Sequence, residues 1–196
     1  MKPFRVLADK KYYLTQEQLI KGCKKNDRTA QSELFKQYKD VLYFVSLKYS
    51  RNQGEAEDNL HDAFMVIFDS IHKFENRGSF EGWMKRITMF KAINRYKNNK
   101  YIPVAILEET VTDTAVETEL STLSLDTLLQ CIQELPDQYR LVFNLYQLDG
   151  YSHKEVAEIL NISESTSKSN FHRAKQTLQK KIKTLTHSKK TERNGA

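Results

Sequence analysis

At 196 residues and 39% hydrophobic content, the chain has room for one ordinary domain or two small ones with packed cores, but it is too polar for a membrane protein. No apolar run approaches the roughly 18–20 residues of a spanning helix. The N-terminus, MKPFRVLADKKYYLT, lacks the uninterrupted apolar core of a secretory signal. The net charge of +6 is unevenly spread: residues 1–100 carry 20 Lys and Arg against 12 Asp and Glu, and residues 140–196 carry 11 against 5. Between them, residues 101–139 carry eight acidic residues and no Lys or Arg. Two basic blocks suit two separate contacts with a polyanion, although solvated helix surface gives the same composition.

Cys23 and Cys131 are far apart and form no CxxC pair, which argues against a disulfide framework or a zinc site and fits free thiols in a reducing cytoplasm. With six Gly, three Pro and little alternation of apolar and polar residues, the chain reads as all-α.

In chain order, residues 1–14 read as a tail. Thr15 and Gln18 form a capping box for a short helix ending near Lys25. Asp27 caps a long helix whose Leu34, Phe35, Tyr38, Val41, Leu42, Val45 and Tyr49 recur at threes and fours. A third helix is predicted from about Glu55 to Lys73, with Leu60, Phe64, Ile67, Phe68 and Ile71 inward. Phe74–Gly78 is a loop, and Ser79 starts a fourth helix reaching about Asn99. Its apolar residues fall in two sectors, Phe80, Trp83 and Ile87 in one and Met89, Ile93 and Tyr96 in the other, which predicts a helix wedged between partners. These helices make a first unit over 15–100. Residues 101–122 read as an acidic linker, long for a connection between compact units unless it is functional or flexible.

A second unit spans 123–182. Leu125, Leu128, Leu129, Ile132 and Leu135 mark one amphipathic helix, and Pro136 opens the next, which carries Leu141, Val142, Leu145 and Leu148 and ends at Gly150. GYSHKEVAEILNISESTSKSNFHRAK, from Gly150 to Lys175, then reads as a helix-turn-helix. Ser152 and Glu155 form a capping box, Asn161 supplies the left-handed turn, and Ser163 caps the second helix. At 100° per residue, Phe171, Ala174, Leu178 and Ile182 share one face of that helix. Ser165, Thr166, Ser169, His172, Arg173 and Gln176 share the other, which suits a major groove better than a core. Residues 183–196 read as a disordered basic tail.

These motifs resemble the extracytoplasmic-function sigma factors of the sigma-70-like family, which direct bacterial RNA polymerase to promoters. The resemblance covers roughly Glu33–Lys100 and Leu123–Ile182. LPDQYRLVFNLYQLDGYSHKEVAEILNISESTSKSNFHRAKQTL follows the pattern of the family's region 4, one shared with other bacterial regulators. AEDNLHDAFMVIF followed by FENRGSFEGWMKRI is similar to region 2 and discriminates further. The resemblance implies two helical domains joined by the acidic linker, which in extended form would imitate nucleic acid in a basic channel on a partner. Asp58, His61 and Asp62 would dock on the β′ coiled coil of core polymerase, whose β subunit is also a partner. Asn76, Arg77 and Ser79 would receive a flipped base of the −10 element, and Lys85, Arg86, Phe90, Lys91 and Arg95 would serve melting and phosphate contact. Ser165, Thr166, Lys168, Ser169, His172, Arg173 and Gln176 would meet the −35 element.

Trp83 is read as packing rather than as a wedge between bases. The chain departs from the family's usual residues at His61 (for Gln), Phe90 (for Asn), Asn94 (for Asp), Ser165 (for Gly) and Ser167 (for Val). A Ser at the buried position 167 is expected to weaken packing. An anti-sigma factor is a further partner implied by the resemblance.

The alternative is a stand-alone helix-turn-helix regulator binding its operator as a dimer, which leaves AEDNLHDAF and GSFEGW without a role. An enzyme is disfavoured. There is no phosphate-binding Gly loop, metal spacing or nucleophile–base pair, His61, His72, His153, His172 and His187 are scattered, and the adjacent Glu57 and Asp58 project differently. No catalytic residue, metal, cofactor or small-molecule substrate is expected.

Overall fold

The computed structural model describes residues 14–98 and 124–194, all of them in helices and turns. The N-terminal tail up to residue 13 and the acidic linker at 101–122 lie outside the described residues. Helix α1 (Gln16–Lys24) starts on the Thr15/Gln18 capping box, with Gln18 N donating to Thr15 Oγ1 at 3.3 Å and Thr15 N to Gln18 Oε1 at 2.8 Å. Asp27 caps α2 (Arg28–Tyr49) by accepting from Thr29 N at 2.8 Å. The two helices cross closely at Gly22, where an added Cβ would sit 2.5 Å from the Ala30 Cβ.

Helix α3 (Gln53–Ser70) starts two residues before Glu55 because Asn52 Oδ1 accepts from Glu55 N at 2.9 Å. It tightens into a 3₁₀ turn at Ile71–Lys73. Ser79 precedes α4 (Phe80–Asn98), its Oγ accepting from Gly82 N at 3.3 Å. Buried Asn59 ties three helices together, donating to Ser46 Oγ on α2 and to the Thr88 carbonyl on α4.

The two apolar sectors of α4 go to two different cores. Phe80 and Met84, with partly buried Trp83 and Ile87, join Leu19, Leu34, Leu42 and Ile67 inside the first unit. Met89, Ala92, Ile93 and Tyr96 join Val45 and Tyr49 of α2 in a second cluster, whose other half is Leu141, Val142, Leu145, Val156 and Leu160. The partner that the sequence pattern required for α4 is thus the second unit itself. Each large side chain buried in this way contributes about 1.5–3 kcal/mol. A half-exposed pair such as Lys85–Glu81 contributes no more than about 1 kcal/mol, so packing rather than surface charge holds the helices.

The second unit begins at Ser124, whose Oγ caps α5 (Leu125–Gln133). Leu125 is 65% exposed; Cys131 and Leu135 carry the buried side of this segment, against Tyr139, Ala174 and Leu178. Pro136 stands at the N-cap of α6 (Asp137–Phe143), which continues through a π-helical turn, Asn144–Leu148, that the periodicity did not mark. Gly150, at φ +77°, ends it, and Tyr151 N donates to the Leu145 carbonyl.

Helix α7 (His153–Leu160) and helix α8 (Glu164–Asn194) complete the unit. The expectation of a disordered tail from 183 is corrected: α8 continues through Asn194. Between Lys183 and Asn194 there is no Gly or Pro, and adding residues to an existing helix avoids the cost of a new nucleus. Gly195 follows the helix end. Among the described residues, no helix is long and apolar enough to cross a membrane.

Candidate nucleic-acid and polymerase interface

The helix-turn-helix is set by local chemistry. Ser152 and Glu155 exchange the capping-box bonds, and Ser152 Oγ also donates to Glu155 Oε2 at 2.7 Å. Asn161 takes the left-handed conformation at φ 56°, ψ 50°, and the Ile162 amide returns to the Ala157 carbonyl at 3.0 Å. Ser163 Oγ accepts from Thr166 N at 3.0 Å to open α8.

The residues expected to read DNA lie along one side of α8. Ser165, Lys168 and Ser169 are exposed, while Thr166, His172, Arg173 and Gln176 are partly exposed. Gln176 and His172 are 3.0 Å apart through their Nε2 atoms, and Lys168 pairs with Glu164 at 2.7 Å. On the opposite side Ala174, Leu178 and Ile182 are buried, and Asn170 donates to Gln138 Oε1 at 3.2 Å.

Ser167 is fully buried, but its environment corrects the expectation of a simple loss of packing. His153 Nδ1 lies 2.9 Å from Ser167 Oγ. The imidazole stacks on Tyr146 at 3.9 Å between centroids and meets Phe171 edge-on at 5.9 Å. A polar pair therefore occupies the place expected to be apolar.

Burial, and secondarily the Lys168 ammonium, push His153 below the ordinary imidazole value, against the opposing pull of Glu164. The folded state thus binds this proton less readily than the unfolded chain. Its contribution to stability is complete above about pH 6.5 and is lost as pH falls through the folded value. Urea unfolding at about pH 7.5 and 5.5 is expected to show a smaller acid loss of stability in His153→Phe than in the unsubstituted protein. Equal losses would contradict this assignment.

In the first unit the loop ahead of α4 stands on a ring platform. Phe74, Phe80 and Trp83 lie with centroids 5.0–5.8 Å apart, and Lys24 Nζ donates to the Phe74 carbonyl at 3.1 Å. Trp83 is therefore a packing residue. Above this platform Asn76, at φ 57°, and Gly78, at φ 92°, turn the backbone outward. Asn76, Arg77 and Ser79 are exposed, and Arg77 pairs with Glu75 at 3.1 Å.

Along α4, Lys85 pairs with Glu81 at 2.6 Å, and Arg86 is exposed with its guanidinium 5.6 Å from the Phe90 ring centre. Lys91 and Arg95 pair with Asp62 and Asp58 of α3 at 3.3 and 3.5 Å. The acidic set expected to meet polymerase and part of the basic set expected to meet phosphate thus share one ridge. His61 is exposed beside them.

The same face of α3 carries Met65, 59% exposed, and Val66, 37% exposed, which sequence reasoning missed. The signal was the unbroken run Phe64–Phe68, since a helix cannot turn five successive apolar residues inward.

Two helical units, one with an open helix-turn-helix and the other with an exposed loop on a ring platform, define a DNA-binding protein of transcription. Family models described as Sigma-70 region 2 and Sigma-70, region 4 match residues 34–101 and 125–178. The ECF RNA polymerase sigma factor SigW of Bacillus subtilis is 32% identical over 181 residues, covering 85% of this chain and 96% of that one. The ECF RNA polymerase sigma-E factor of Escherichia coli is 25% identical over 191 residues, with 88% and 96% covered. Among solved structures, the sigma factor RpoE in complex with the anti-sigma factor NepR from Bartonella quintana matches 78% of this chain and 96% of that one. Its identity is 19% and its TM-score 0.49. The chain belongs to the ECF RNA polymerase sigma factors of the sigma-70 type, which direct promoter-specific initiation.

Proposed function

We propose that the first unit docks on core polymerase through Asp58, His61 and Asp62, with Met65 adding apolar contact. In the same reading Asn76, Arg77 and Ser79 hold an unpaired base of the −10 element, and Lys85, Arg86, Phe90, Lys91 and Arg95 follow the melted strand. The −35 duplex meets Ser165, Thr166, Lys168, Ser169, His172, Arg173 and Gln176. The observation that supports this reading best is the joint presence, in one chain, of an open recognition helix and an outward loop on a fixed ring platform.

Promoter opening is driven by binding unpaired bases and phosphates, so DNA affinity falls steeply with salt. The protein performs no covalent chemistry of its own and works in the cytoplasm, where an anti-sigma factor is a further partner. A stand-alone operator-binding regulator is not favoured, because it gives α3 and α4 no role.

Asp62→Arg reverses one exposed charge on the polymerase face. It is expected to weaken binding to core polymerase by at least about tenfold while leaving far-ultraviolet circular dichroism unchanged. Undiminished core binding, measured by fluorescence anisotropy, would place the docking face elsewhere.

A further inference from the structure

Helix α8 is held to α7 at its reading end by a directional bond. Ser167 is fully buried, and its Oγ lies 2.9 Å from His153 Nδ1. It stands between Thr166 and Lys168, on the turn of α8 that carries the first of the side chains proposed to read DNA. An apolar contact at this position would fix the separation of the two helices but not the rotation of α8 about its own axis, because hydrophobic contact has no direction. A hydrogen bond has one, and weakens steeply once donor and acceptor fall out of line.

The imidazole is itself held against turning. It lies flat on Tyr146, with ring planes 10° apart, and Phe171 meets it at 62°. Phe171 also packs on Tyr146 at 4.7 Å and on Phe143 at 6.2 Å between centroids. Tyr146 is carried by the π-helical turn Asn144–Leu148. These rings set the direction of Nδ1, and Nδ1 sets Ser167. Ala174, the next buried residue seven positions along, offers only a methyl group.

A constellation that reads a ligand tolerates about 0.5 Å or 10–20° of misplacement. Ser165, Thr166, Ser169 and Arg173 project from the same helix as Ser167, so a rotation of α8 moves all of them together.

We propose that His153 is a positioning residue for −35 reading: through Ser167 it sets the rotation of α8, and it does so as the neutral imidazole, so that discrimination among −35 sequences weakens in acid. The inference rests on the sigma-factor reading given above.

The surroundings of the ring give the acid limb its direction. His153 is the first residue of α7, where the helix dipole opposes a cation. Lys154 and Glu155 of α7, Glu164 and Lys168 of α8, and Tyr146 and Tyr151 line the same open groove as His153. Burial first, then Lys168, disfavours the added proton, against the pull of Glu164. Once protonated, Nδ1 can only donate, and a cation stands beside Lys154 and Lys168. Turning the ring out into the groove relieves this and breaks the bond to Ser167.

The test uses holoenzyme at constant salt and a promoter fragment recovered by run-off transcription, compared with the same fragment carrying a scrambled −35 element. The ratio of the two affinities cancels sequence-independent attraction to phosphate, including that of a charge gained at His153. His153→Phe keeps a ring on Tyr146 and removes the bond, while Ser167→Ala leaves the imidazole without its partner. His172, on the reading face, is present in all three proteins, so their comparison isolates the pair.

In the unsubstituted protein the ratio is expected to fall about three- to tenfold from pH 7.5 to 5.5. Both variants are expected to show a lowered ratio already at pH 7.5 and a smaller further fall, with core binding unchanged. Equal falls in the unsubstituted protein and His153→Phe would overturn the proposal, as would a ratio at pH 7.5 that neither substitution lowers. Amide hydrogen exchange in the free protein tests the same link without DNA. After correction for intrinsic rates, amides of residues 168–171 are expected to exchange at least about threefold faster in both variants at pH 7.5. Unchanged exchange would overturn the positioning role. The exchange result stands whether or not holoenzyme selects a promoter, so failure of the sigma-factor reading remains distinguishable.

Discussion

Arg140→Leu is expected to lower the free energy of unfolding by about 3–5 kcal/mol. The Arg140 side chain is 1% exposed, and its guanidinium meets four acceptors. It donates to the carbonyls of Tyr49 at 3.3 Å, Gln133 at 3.1 Å and Leu135 at 2.9 Å and to Asp137 Oδ1 at 2.6 Å. It also lies 5.1 Å from the ring centre of Tyr96, which the Arg51 guanidinium approaches at 5.2 Å.

Exchange of a whole buried ion pair for apolar groups can be neutral, but three of these acceptors are backbone and cannot be exchanged. Each buried acceptor left unpaired costs about 1–3 kcal/mol, and entry of water keeps the total below their sum. Arg140→Lys keeps the charge but not the planar fork, and is expected to fall between. Urea unfolding followed by circular dichroism measures the loss. Trp83, the only tryptophan, reports on the first unit alone, so its transition should shift less. A loss below about 1 kcal/mol would mean that Arg140 is not the pin it is taken for.

Arg173→Ala is expected to reduce transcription from a cognate promoter by about tenfold or more at limiting protein, with core binding intact. Arg173 lies on the open side of α8, one helical turn beyond Ser169 and beside His172, while Ala174 next to it is fully buried. Replacing Arg173 therefore leaves the buried face of α8, Ala174 included, in place. A bidentate contact to a base contributes about 1–3 kcal/mol of discrimination, and a phosphate contact instead reduces the salt slope by about 1. Run-off assays across a salt series separate the two. Unchanged activity at limiting protein would remove Arg173 from the reading face.

The local parts of this structure could be read from the sequence because their causes are local. Thr15 with Gln18, Asp27, Ser152 with Glu155, Asn161 and Ser163 each act within a few residues, and each stands where it was expected. The split of α4 into two sectors was also visible, since side-chain direction follows from helical spacing alone. What closed the second sector was not. Its partner lies beyond the acidic stretch, and no spacing within α4 specifies it.

The burial of Arg140 could not be read from the sequence, because its acceptors are mainly carbonyls, which carry no sequence signature. Ser167 read as a packing defect because its partner His153 lies 14 residues earlier on another helix. The end of α8 was missed for a different reason. Polar composition alone argues for disorder, whereas a helix already formed needs no apolar face to continue.

The most direct test of the sigma-factor account is run-off transcription by purified core polymerase on fragmented genomic DNA of the host, with and without this protein. The account predicts discrete start sites that require the protein, each preceded by two short sequence elements near −10 and −35. Absence of such transcripts, together with tight binding of the protein alone to a duplex site, would contradict it.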